Sequence, residues 1–521
     1  MLALLPSDVY HHPMEKFQIP PDLTDFPVFF VGIKGTGMAA LAELFLKRGA
    51  AVRGSDTEEK FYTDEVLDSL GIPYYEGFNA ANLPDRLELV VHSSAYDPEA
   101  HPELQEARRR KIPVLEYTGA LGALSRTAFS VGVAGVHGKT TTTGLLGNIC
   151  KEAELPASVL VGSAVSNFGN RSTFVGGDRY FIAETCEYRR HFLSFSPDIV
   201  VITNVDADHL DYFKDEEDVK SAFVEYGKLL SEGGTLIYCS DDAGAVDTAG
   251  RISEGRKDVR LVPYGFSAEG AYRIKDYRFE PGTHIFSLGR SGTAIESDTG
   301  KESDTLEELH LHIPGRHSVL NAAAAVAVAE ILEDENGRGV KSEISRVNRD
   351  GEGGRASPGI RRGLETFTGS KRRSEILGEY GGVVFMDDYG HHPREIRSTL
   401  EGIREFYSVR RLIADFMSHT YSRTEAFLDD FSRAFSAADE VILHKIYSSA
   451  REREGRINGK SLFEEMKKHH PNVKYFHEVM EAEEYLYGHL RRGDLFLTLG
   501  AGDNWRIGEK LKNSFAKKES I

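Results

Sequence analysis

Residues 129–143 read FSVGVAGVHGKTTTT and combine a glycine-rich turn with a lysine and four threonines. This combination is typical of a loop that binds phosphate, because backbone N–H groups at a helix N-terminus and a lysine ammonium both attract anions. The usual P-loop, G-x-x-x-x-G-K-[ST], would have its first glycine at position 133. Val133 stands there instead, and the nearest glycine on the loop side of it is Gly135. The spacing from Gly135 to Gly138 therefore predicts a phosphate loop of a shorter, variant form.

Polar side chains further along the chain indicate a metal ion beside this loop. In a phosphate loop, Lys139 would reach the β- and γ-phosphates, and the Thr140 hydroxyl would bind Mg²⁺. Glu184 ends the apolar run YFIAE, and His209 follows the run DIVVI. A carboxylate and a neutral imidazole at strand ends suit a divalent cation. His209 alone would be better explained as a hydrogen-bonded structural histidine, but together with the phosphate loop and Glu184 it favours a site for ATP and Mg²⁺.

A second glycine loop lies near the start of the chain. Residues 35–40, GTGMAA, fit the pattern G-x-G-x-x-A after a predicted strand, and Asp56 follows about 20 residues later. Glycines in such a loop let backbone N–H groups approach a diphosphate at a helix N-terminus. The motif alone favours NAD as the ligand, and a purely structural tight turn is the alternative. It predicts a diphosphate without identifying which one.

The elements that carry these motifs alternate between strands and helices. Apolar runs such as PVFFV, YFIAE, DIVVI and VVFMDD are separated by helical patterns, including the alanine-rich RHSVLNAAAAVAVAEIL. This alternation predicts an α/β protein with open, mainly parallel sheets and flanking helices, in which ligands bind at the carboxyl ends of strands. We expect a Rossmann-like N-terminal domain, a central ATP-binding domain and a Rossmann-like C-terminal domain, over 24–125, 126–362 and 363–521. A polar stretch at about 334–360 lacks apolar periodicity and is interpreted as an insertion.

Composition limits the possible classes of function. A chain of 521 residues is long enough for about three domains. The formal charge of −18 argues against nucleic-acid binding, which needs a basic surface, but it allows binding of small nucleotides. The cysteines Cys150, Cys186 and Cys239 have no metal-binding or redox spacing, which fits a reducing compartment. No secretory signal is apparent, and no stretch approaches the roughly 20 apolar residues of a membrane span, so we expect a cytoplasmic protein without nucleic-acid or membrane partners.

Several motifs along the chain together resemble those of the Mur ligases. The resemblance runs from about Pro27 to the last predicted helix and rests on GVHGKTTTT, AETCEYRRHFLSFSPDIVVITNVDADHLDYF, IPGRHSVLN, KRRSE, DDYGHHPREI, SHTYSRT and LTLGAGD. It implies that the short phosphate loop is the form this family uses, and that the first glycine loop binds the diphosphate of a UDP-sugar rather than NAD. It also implies a ligase that uses ATP and Mg²⁺ to join L-alanine to the carboxylate of UDP-N-acetylmuramate through an acyl phosphate, in peptidoglycan precursor synthesis. We expect a monomer or a weak homodimer.

The resemblance implies roles for individual residues as well. Those implied to bind ATP are Gly135, Val136, His137, Gly138, Lys139, Thr140, Thr141, Asn321, Asp388, Tyr389 and His391. Those implied to hold Mg²⁺ are Thr140, Glu184 and His209. The UDP-sugar would contact Gly35, Thr36, Gly37, Met38, Asp56, Ser93, Ser94, Glu187 and Arg189. The implied catalytic residues are Lys139, His209, Arg372 (or its neighbour Arg373), His419 and Arg423, the last two facing the muramyl carboxylate and the alanine.

Three other functions stay open at this point. A related ligase that attaches a tripeptide to the same UDP-sugar would share the ATP site and differ in the amino-acid pocket, where CEYRRHFLS and HTYSRT favour free alanine. A folylpolyglutamate synthetase would lack a complete UDP-binding domain. A non-catalytic nucleotide-sugar sensor would not need the lysine, threonine, glutamate and histidine of the predicted ATP site together. The chain departs from the family pattern at Lys34, where many members have glycine, and in the stretch ADFMS before His419.

Overall fold

The computed structural model describes residues 17–206, 212–269, 272–280, 282–289, 308–339, 356–448 and 455–519. Within them lie three mainly parallel sheets with helices on their faces, and a small antiparallel sheet. This architecture confirms the α/β fold class that the alternation of strands and helices predicts. None of the helices in these ranges is long and apolar enough to cross a membrane. His209 lies outside the described residues.

The N-terminal sheet carries the first glycine loop. Its strands are β1 Pro27–Val31, β2 Ala51–Asp56, β3 Tyr74–Glu76, β4 Leu89–His92 and β5 Val114–Glu116. Its helices are α1 Thr36–Lys47, α2 Tyr62–Leu70, α3 Pro102–Arg109 and α4 Tyr117–Ser125, with a 3₁₀ turn at Ala80–Asn82. The strands are parallel and lie in the order β3-β2-β1-β4-β5. The order reverses between β1 and β4, which opens a crevice beyond the ends of these two strands.

The central sheet carries the phosphate loop. Its strands are β6 Phe129–Ala134, β7 Ala157–Val165, β8 Arg171–Val175, β9 Tyr180–Glu184, β10 Ile199–Ile202, β11 Thr235–Cys239 and β12 Arg260–Tyr264, and its first helices are α5 Lys139–Glu152, α6 Glu216–Gly227 and α7 Ala243–Gly255. Short 3₁₀ segments lie at Ser166–Phe168 and Tyr188–Ser194. The strand order is β12-β11-β10-β6-β9-β7-β8, and every neighbouring pair except β7 and β8 is parallel. The phosphate loop follows β6, between the ends of β9 and β10.

A small sheet and two helices complete this region. The antiparallel strands are β13 Arg273–Glu280, β14 Thr283–Gly289 and β15 Leu309–Leu311, and the helices are α8 Arg316–Gly339 and α9 Pro358–Glu365. The predicted polar insertion at about 334–360 is therefore helical at both of its ends, and residues 340–355 lie outside the described residues. Helix α9 runs across the predicted boundary at 362 and packs on α5, where the Asn148 side chain donates a hydrogen bond of 2.7 Å to the Gly363 carbonyl.

The third sheet, with its helices, is called the third domain below. Its strands are β16 Glu375–Tyr380, β17 Val383–Asp388, β18 Arg411–Phe416, β19 Glu440–Leu443, β20 Val473–Tyr475 and β21 Asp494–Leu499. Its helices are α10 Pro393–Phe406, α11 Tyr421–Ala426, α12 Leu428–Arg433, α13 Gly459–Met466, α14 Glu483–His489 and α15 Trp505–Glu519, with a 3₁₀ turn at Val479–Ala482. The order is β16-β17-β21-β18-β19-β20, and only β16 runs antiparallel to its neighbour.

The buried apolar clusters connect the first two sheets, whereas the third domain has clusters of its own. One cluster of buried side chains continues from the N-terminal sheet into the central sheet, from Phe30 and Leu44 to Phe181 and Phe192. The third domain has separate clusters on the two faces of its own sheet. Because burial of apolar surface is the main stabilising contribution, the first two sheets are packed into one body. The third domain contacts that body at the active site largely through the polar side chains described below.

Candidate active site

The phosphate loop is a tight turn that only glycine can form at two positions. Gly135 and Gly138 have φ values of 140° and 83°, a region that L side chains rarely adopt. A Cβ atom on Gly138 would lie 2.6 Å from the Asn321 side-chain oxygen, and one on Gly135 would meet the Thr203 hydroxyl. The variant spacing predicted from the sequence therefore gives a closely packed loop at the N-terminus of α5, with Asn321 of α8 against it.

Two residues after β10 hold this loop in place, and neither was predicted as a site residue. The Asn204 side chain accepts a hydrogen bond of 2.9 Å from the His137 N–H and donates one of 2.8 Å to the His137 carbonyl. The Thr203 hydroxyl donates to the same carbonyl. Their position directly after the strand next to β6 is the signal in the sequence that could have identified them.

Lys139 lies at the first position of α5 with all of its donors occupied. Its ammonium donates to the carbonyls of Gly135 and Val136 and pairs with the Glu187 carboxylate at 3.0 Å. Both side chains of this ion pair are largely buried. Burial alone would lower the pKa of Lys139, but the nearby carboxylate of Glu187 holds it above its ordinary value. The lysine is therefore a fixed positive charge in the phosphate loop.

Oxygen ligands suited to a divalent cation lie beside the lysine. The Thr140 hydroxyl donates to one oxygen of Glu184 at 3.2 Å, and the Gly162 N–H donates to the other at 2.9 Å. The register of β6 and β9 places Glu184 opposite Val133, just before the loop. A hydroxyl and a carboxylate fit the preference of Mg²⁺ for oxygen.

The third domain forms the opposite wall of the cavity above the phosphate loop, which we call the nucleotide cavity. Its residues there include Arg373, Ser374, Asp388, Arg394, Glu395 and Ser398. Asp388 accepts hydrogen bonds of 2.6 Å and 2.7 Å from the N–H groups of Ser374 and Gly390. Burial raises the pKa of Asp388, although the charge of Arg373 and these hydrogen bonds act in the opposite direction. The buried carboxylate thus shapes the loop that follows β17.

The two adjacent arginines of KRRSE have different surroundings. The guanidinium of Arg372 donates to Asp387 at 2.9 Å and to the Gly500 carbonyl at 2.6 Å. Arg373 lines the nucleotide cavity, whereas Arg372 does not. Both guanidinium groups lie over the ring of Tyr389, with their central carbons 5.1 Å and 5.3 Å from the ring centroid. The structure therefore brings Arg373, rather than Arg372, to the phosphate loop.

Glu395, near the start of α10, connects the third domain to the phosphate loop. One of its oxygens lies 3.0 Å from His137 Nδ1, and the other accepts from the N–H groups of His391 and His392 at 2.9 Å and 3.1 Å. Burial alone would raise the pKa of Glu395, but the contacts with His137 and His391 hold it well below its usual range. Beside it, Arg394 pairs with Asp206 of the central domain. Neither of these contacts between domains was predicted from the sequence.

His419 and Arg423 lie at the rim of the third domain. His419 follows β18, with its ring 6.5 Å from that of His391 and 5.9 Å from that of Tyr447. Burial lowers the pKa of His391 to about 4, although Glu395 acts in the opposite direction, and the charge of Arg423 lowers it further. Arg423 is therefore close to His391, and within the described residues it has no salt bridge to Asp430.

The first glycine loop is fixed by an aspartate that points inwards. Asp56 accepts hydrogen bonds of 2.6 Å from the Lys34 N–H and 2.7 Å from the Thr57 N–H, so both of its oxygens are occupied by the backbone. The Lys34 ammonium is buried and pairs with Asp64 at 3.0 Å. At the mouth of the crevice, α1 begins with Thr36, Gly37 and Met38, and Ser93 and Ser94 follow β4. Gly37 has to be small, because a Cβ atom there would lie 3.1 Å from the ring of Tyr117.

A second cavity adjoins the nucleotide cavity and shares Glu184 with it. It lies between α4 and the segment 186–195, and its lining includes Tyr117, Leu121, Cys186, His191 and Phe192. Glu187 and Arg189, both implied as contacts of the UDP-sugar, belong to this segment. Glu187 is paired with Lys139, whereas Arg189 is exposed, with its guanidinium 5.5 Å from the Tyr188 ring. The two cavities thus adjoin at Glu184, which lies between the phosphate loop and the cavity beside α4.

Comparison with known proteins identifies the family. Residues 27–128, 133–329 and 372–502 match the models of the Mur ligase family catalytic domain, the Mur ligase middle domain and the Mur ligase glutamate ligase domain. The chain belongs to the Mur ligase family, which confirms the resemblance seen in its motifs.

Its relatives include enzymes with one common name. The UDP-N-acetylmuramate–L-alanine ligase of Treponema pallidum is 46% identical over 507 residues, which cover 97% of this chain and 100% of the relative. That of Borreliella burgdorferi is 39% identical over 490 residues, which cover 93% and 98%. The solved UDP-N-acetylmuramate-alanine ligase of Thermotoga maritima has a TM-score of 0.72 at 23% identity, with 95% and 100% of the two chains covered, and so shows a shared fold.

Proposed function

We propose that this chain is the ligase that joins L-alanine to the carboxylate of UDP-N-acetylmuramate, with conversion of ATP to ADP and phosphate, in peptidoglycan synthesis. The observation that carries this proposal is the 46% identity, over 97% of the chain, to a relative of that name. The phosphate loop, the oxygen ligands beside it and the arginine opposite it supply the groups that such a reaction requires. The proposed domains, 24–125, 126–362 and 363–521, are supported by the three separate sheets.

In the first step, the muramyl carboxylate attacks the γ-phosphate of ATP and forms an acyl phosphate, because a free carboxylate is a poor electrophile. Residues 135–141 would hold the phosphate chain, with Lys139 at the γ-phosphate and Arg373 facing it from the third domain. Thr140, Glu184 and His209 would hold Mg²⁺, which neutralises phosphate charge when bound. Fixed positive groups stabilise the charge that develops during phosphoryl transfer.

In the second step, the amine of alanine attacks the acyl phosphate, and phosphate leaves. We assign the muramyl carboxylate and the alanine to the rim where His419 and Arg423 approach His391. The UDP-sugar would extend from there through the second cavity to the first glycine loop. Water has to be excluded because it would hydrolyse the acyl phosphate, and the contact between the third domain and the phosphate loop covers the site.

The substrates are small molecules found in the cytoplasm, which supports that location, and the reaction requires no nucleic acid or membrane. A monomer or a weak homodimer is the proposed state. The related tripeptide ligase is the alternative within the family, since it would share the phosphate loop and differ near His419.

Phosphate release tests the proposal directly. The purified chain is mixed with ATP, Mg²⁺, UDP-N-acetylmuramate and L-alanine, and the product is identified by mass. We expect release only when all components are present, and slower release when a tripeptide replaces alanine. A preference for the tripeptide, or ATP hydrolysis independent of the sugar, would overturn it.

A further inference from the structure

The ammonium of Lys139 has no free donor with which to bind a phosphate. A lysine ammonium has three N–H groups, and these meet the Gly135 carbonyl, the Val136 carbonyl at 3.2 Å and the Glu187 carboxylate at 3.0 Å. The two carbonyls belong to the loop itself and are fixed by its geometry. Among these three acceptors Glu187 is the one side chain, and it carries the same sign of charge as an incoming anion. An anion that binds this lysine must therefore displace Glu187.

Glu187 is strongly held in its present position. Its side chain is 2% exposed and that of Lys139 is 12% exposed, so the pair lies mostly out of water. A phosphate that binds the same ammonium brings a second negative charge next to the Glu187 carboxylate, and like charges repel strongly where water is largely excluded. Exchange of this partner therefore has to be accompanied by movement of Glu187 or of the segment that carries it.

The segment after Glu187 combines strained backbone with firm anchors. Arg189 and Arg190, which follow Glu187, have φ values of 51° and 58°, which is unusual for side chains other than glycine. On the far side, Arg190 pairs with Asp218 at 2.9 Å and with Glu225. The ring of Phe192 is stacked on that of Tyr226, with centroids 4.5 Å apart. The anchors begin at Arg190, so the strained backbone of Arg189 and Arg190 forms the junction between Glu187 and the anchored part of the segment.

The same segment forms the wall of the second cavity. Cys186 immediately precedes Glu187, and His191 follows it by one turn, and both line that cavity. Glu184 lines both cavities, so they adjoin at this point. A displacement of Glu187 would therefore change the shape and the charge of the surface that faces the sugar substrate.

We propose that Glu187 couples the two substrate sites. Binding of ATP transfers Lys139 from Glu187 to the phosphate chain, and the released carboxylate reshapes the wall of the second cavity for UDP-N-acetylmuramate. This inference rests on the proposed function, because it takes the anion to be the phosphate chain of ATP. Glu187 acts through Lys139 and is a positioning residue.

Calorimetric titration of the full chain with a non-hydrolysable ATP analogue, with and without UDP-N-acetylmuramate, tests the coupling. In the wild type, each ligand should change the affinity for the other by the same factor, since coupling between binding sites is reciprocal. In Glu187→Gln, the analogue alone should bind about tenfold more tightly, because the competing charge is gone, and the coupling factor should fall towards one. A residue with only a structural role would not produce tighter binding.

Two further variants make the outcome decisive. Glu225→Gln removes one of the two carboxylates that pair with Arg190, at the end of the segment that does not contact Lys139. It should leave the affinity for the analogue unchanged. Glu187→Asp keeps the charge but shortens the side chain by one methylene group, and its affinity for the analogue should lie between those of the wild type and Glu187→Gln. It replaces Glu187→Gln as the test if the glutamine variant does not fold. Unchanged or weaker binding of the analogue in the position 187 variants, or a wild type without coupling, would overturn the inference. Failure of the proposed function would instead appear as a wild type that binds both ligands and releases no phosphate with alanine.

Discussion

His137 Nδ1 of the phosphate loop and a carboxylate oxygen of Glu395 in the third domain lie 3.0 Å apart, where the two domains meet at the wall of the nucleotide cavity. The second oxygen of the same carboxylate accepts from the N–H groups of His391 and His392. A single, largely covered side chain thus links the loop that would hold ATP to the strand-end turn that would approach the amino acid. We therefore expect the packing of the third domain over ATP to depend on a side chain that accepts hydrogen bonds at both oxygens.

Glu395→Gln should raise the KM for ATP about tenfold and lower kcat, because a glutamine side chain cannot accept hydrogen bonds at both ends. One end of the amide would have to face either His137 or the two backbone N–H groups. Steady-state kinetics measure the change, and Glu401→Gln, on an exposed position of the same helix, is the matched control. A variant with unchanged ATP kinetics would show that this contact does not contribute to closure.

The sequence was informative where a functional residue lies at the carboxyl end of a strand or in the loop and helix start that follow it. Lys139, Thr140 and Glu184 follow this rule, and the structure brings them together at one edge of the central sheet. The partner of His137 could not be predicted, because it depends on how the third domain packs against the loop. No local pattern in the sequence specifies that packing.

The adjacent arginines show a second limit of sequence reasoning. Which of Arg372 and Arg373 faces the nucleotide cavity depends on the backbone, since Arg372 and Ser374 have φ values of 58° and 47°. These left-handed residues turn the first guanidinium towards Asp387 and leave the second in the cavity. Neighbouring residues of the same type carry no signal that would distinguish them.

Arg373→Ala should lower kcat about a hundredfold, as expected when one charged group is removed from the site of phosphoryl transfer. Arg372→Ala should act mainly on stability, because it removes the ion-pair partner of the buried Asp387 and leaves that carboxylate with its hydrogen bond from the Thr498 hydroxyl, at a cost of about 2 kcal/mol in the free energy of unfolding. Kinetics and denaturant unfolding of both variants, on matched preparations, separate the two roles. Equal losses of kcat would contradict the assignment.

Asp56→Asn should weaken binding of UDP-N-acetylmuramate by about tenfold and leave ATP binding unchanged. Its carboxylate accepts from two backbone N–H groups, and an asparagine amide would place its NH₂ group against one of them. Because the carboxylate is buried and accepts from two backbone N–H groups and the Tyr96 hydroxyl, it serves to fix the loop rather than to bind the ribose of NAD, and we expect no response to NAD. Calorimetry with each ligand measures this, and tight NAD binding to the wild type would refute it.

His284→Phe should make the protein less sensitive to acid. Burial, with a smaller contribution from the charge of His317, lowers the pKa of His284 to about 4, so the folded state keeps this ring neutral. Between pH 6.5 and about 4 the unfolded chain binds one more proton at this residue than the folded chain does. The contribution of the neutral ring to the free energy of unfolding is therefore fully present above that range and is lost as the pH falls through it. The ring packs among the side chains of Tyr277, Phe279 and Phe406, where phenylalanine fits.

Urea unfolding at a series of pH values measures the effect. The slope of the unfolding free energy against pH should fall by about 1.4 kcal/mol per pH unit in that range, the value for one proton. His477→Asn, at a residue whose side chain is 63% exposed, is the control and should leave the slope as it is. An unchanged slope in His284→Phe would mean that this histidine is already charged in the folded protein.

Arg423→Lys should raise the KM for alanine by at least about tenfold, with little change in the KM for ATP. Arg423 lies close enough to His391 for its charge to lower the pKa of that ring, and within the described residues it forms no salt bridge with Asp430 on the next helix. Its guanidinium is therefore available for a carboxylate, which a planar fork grips in two places and a lysine ammonium in one. Some loss of kcat should accompany the change if the amine of alanine is also displaced.

Arg433→Lys is the matched control for this prediction, because Arg433 lies on the following helix and pairs with the exposed Asp429. An exposed pair of this kind contributes little to stability, so the control should keep both KM values and nearly the same melting temperature. If Arg423 served only the surface, its own variant would behave in the same way as the control. Measurement of both KM values and the melting temperature on each preparation distinguishes a contact with the amino acid from a surface ion pair. A change in the KM for ATP alone would contradict the prediction and assign Arg423 to the nucleotide site.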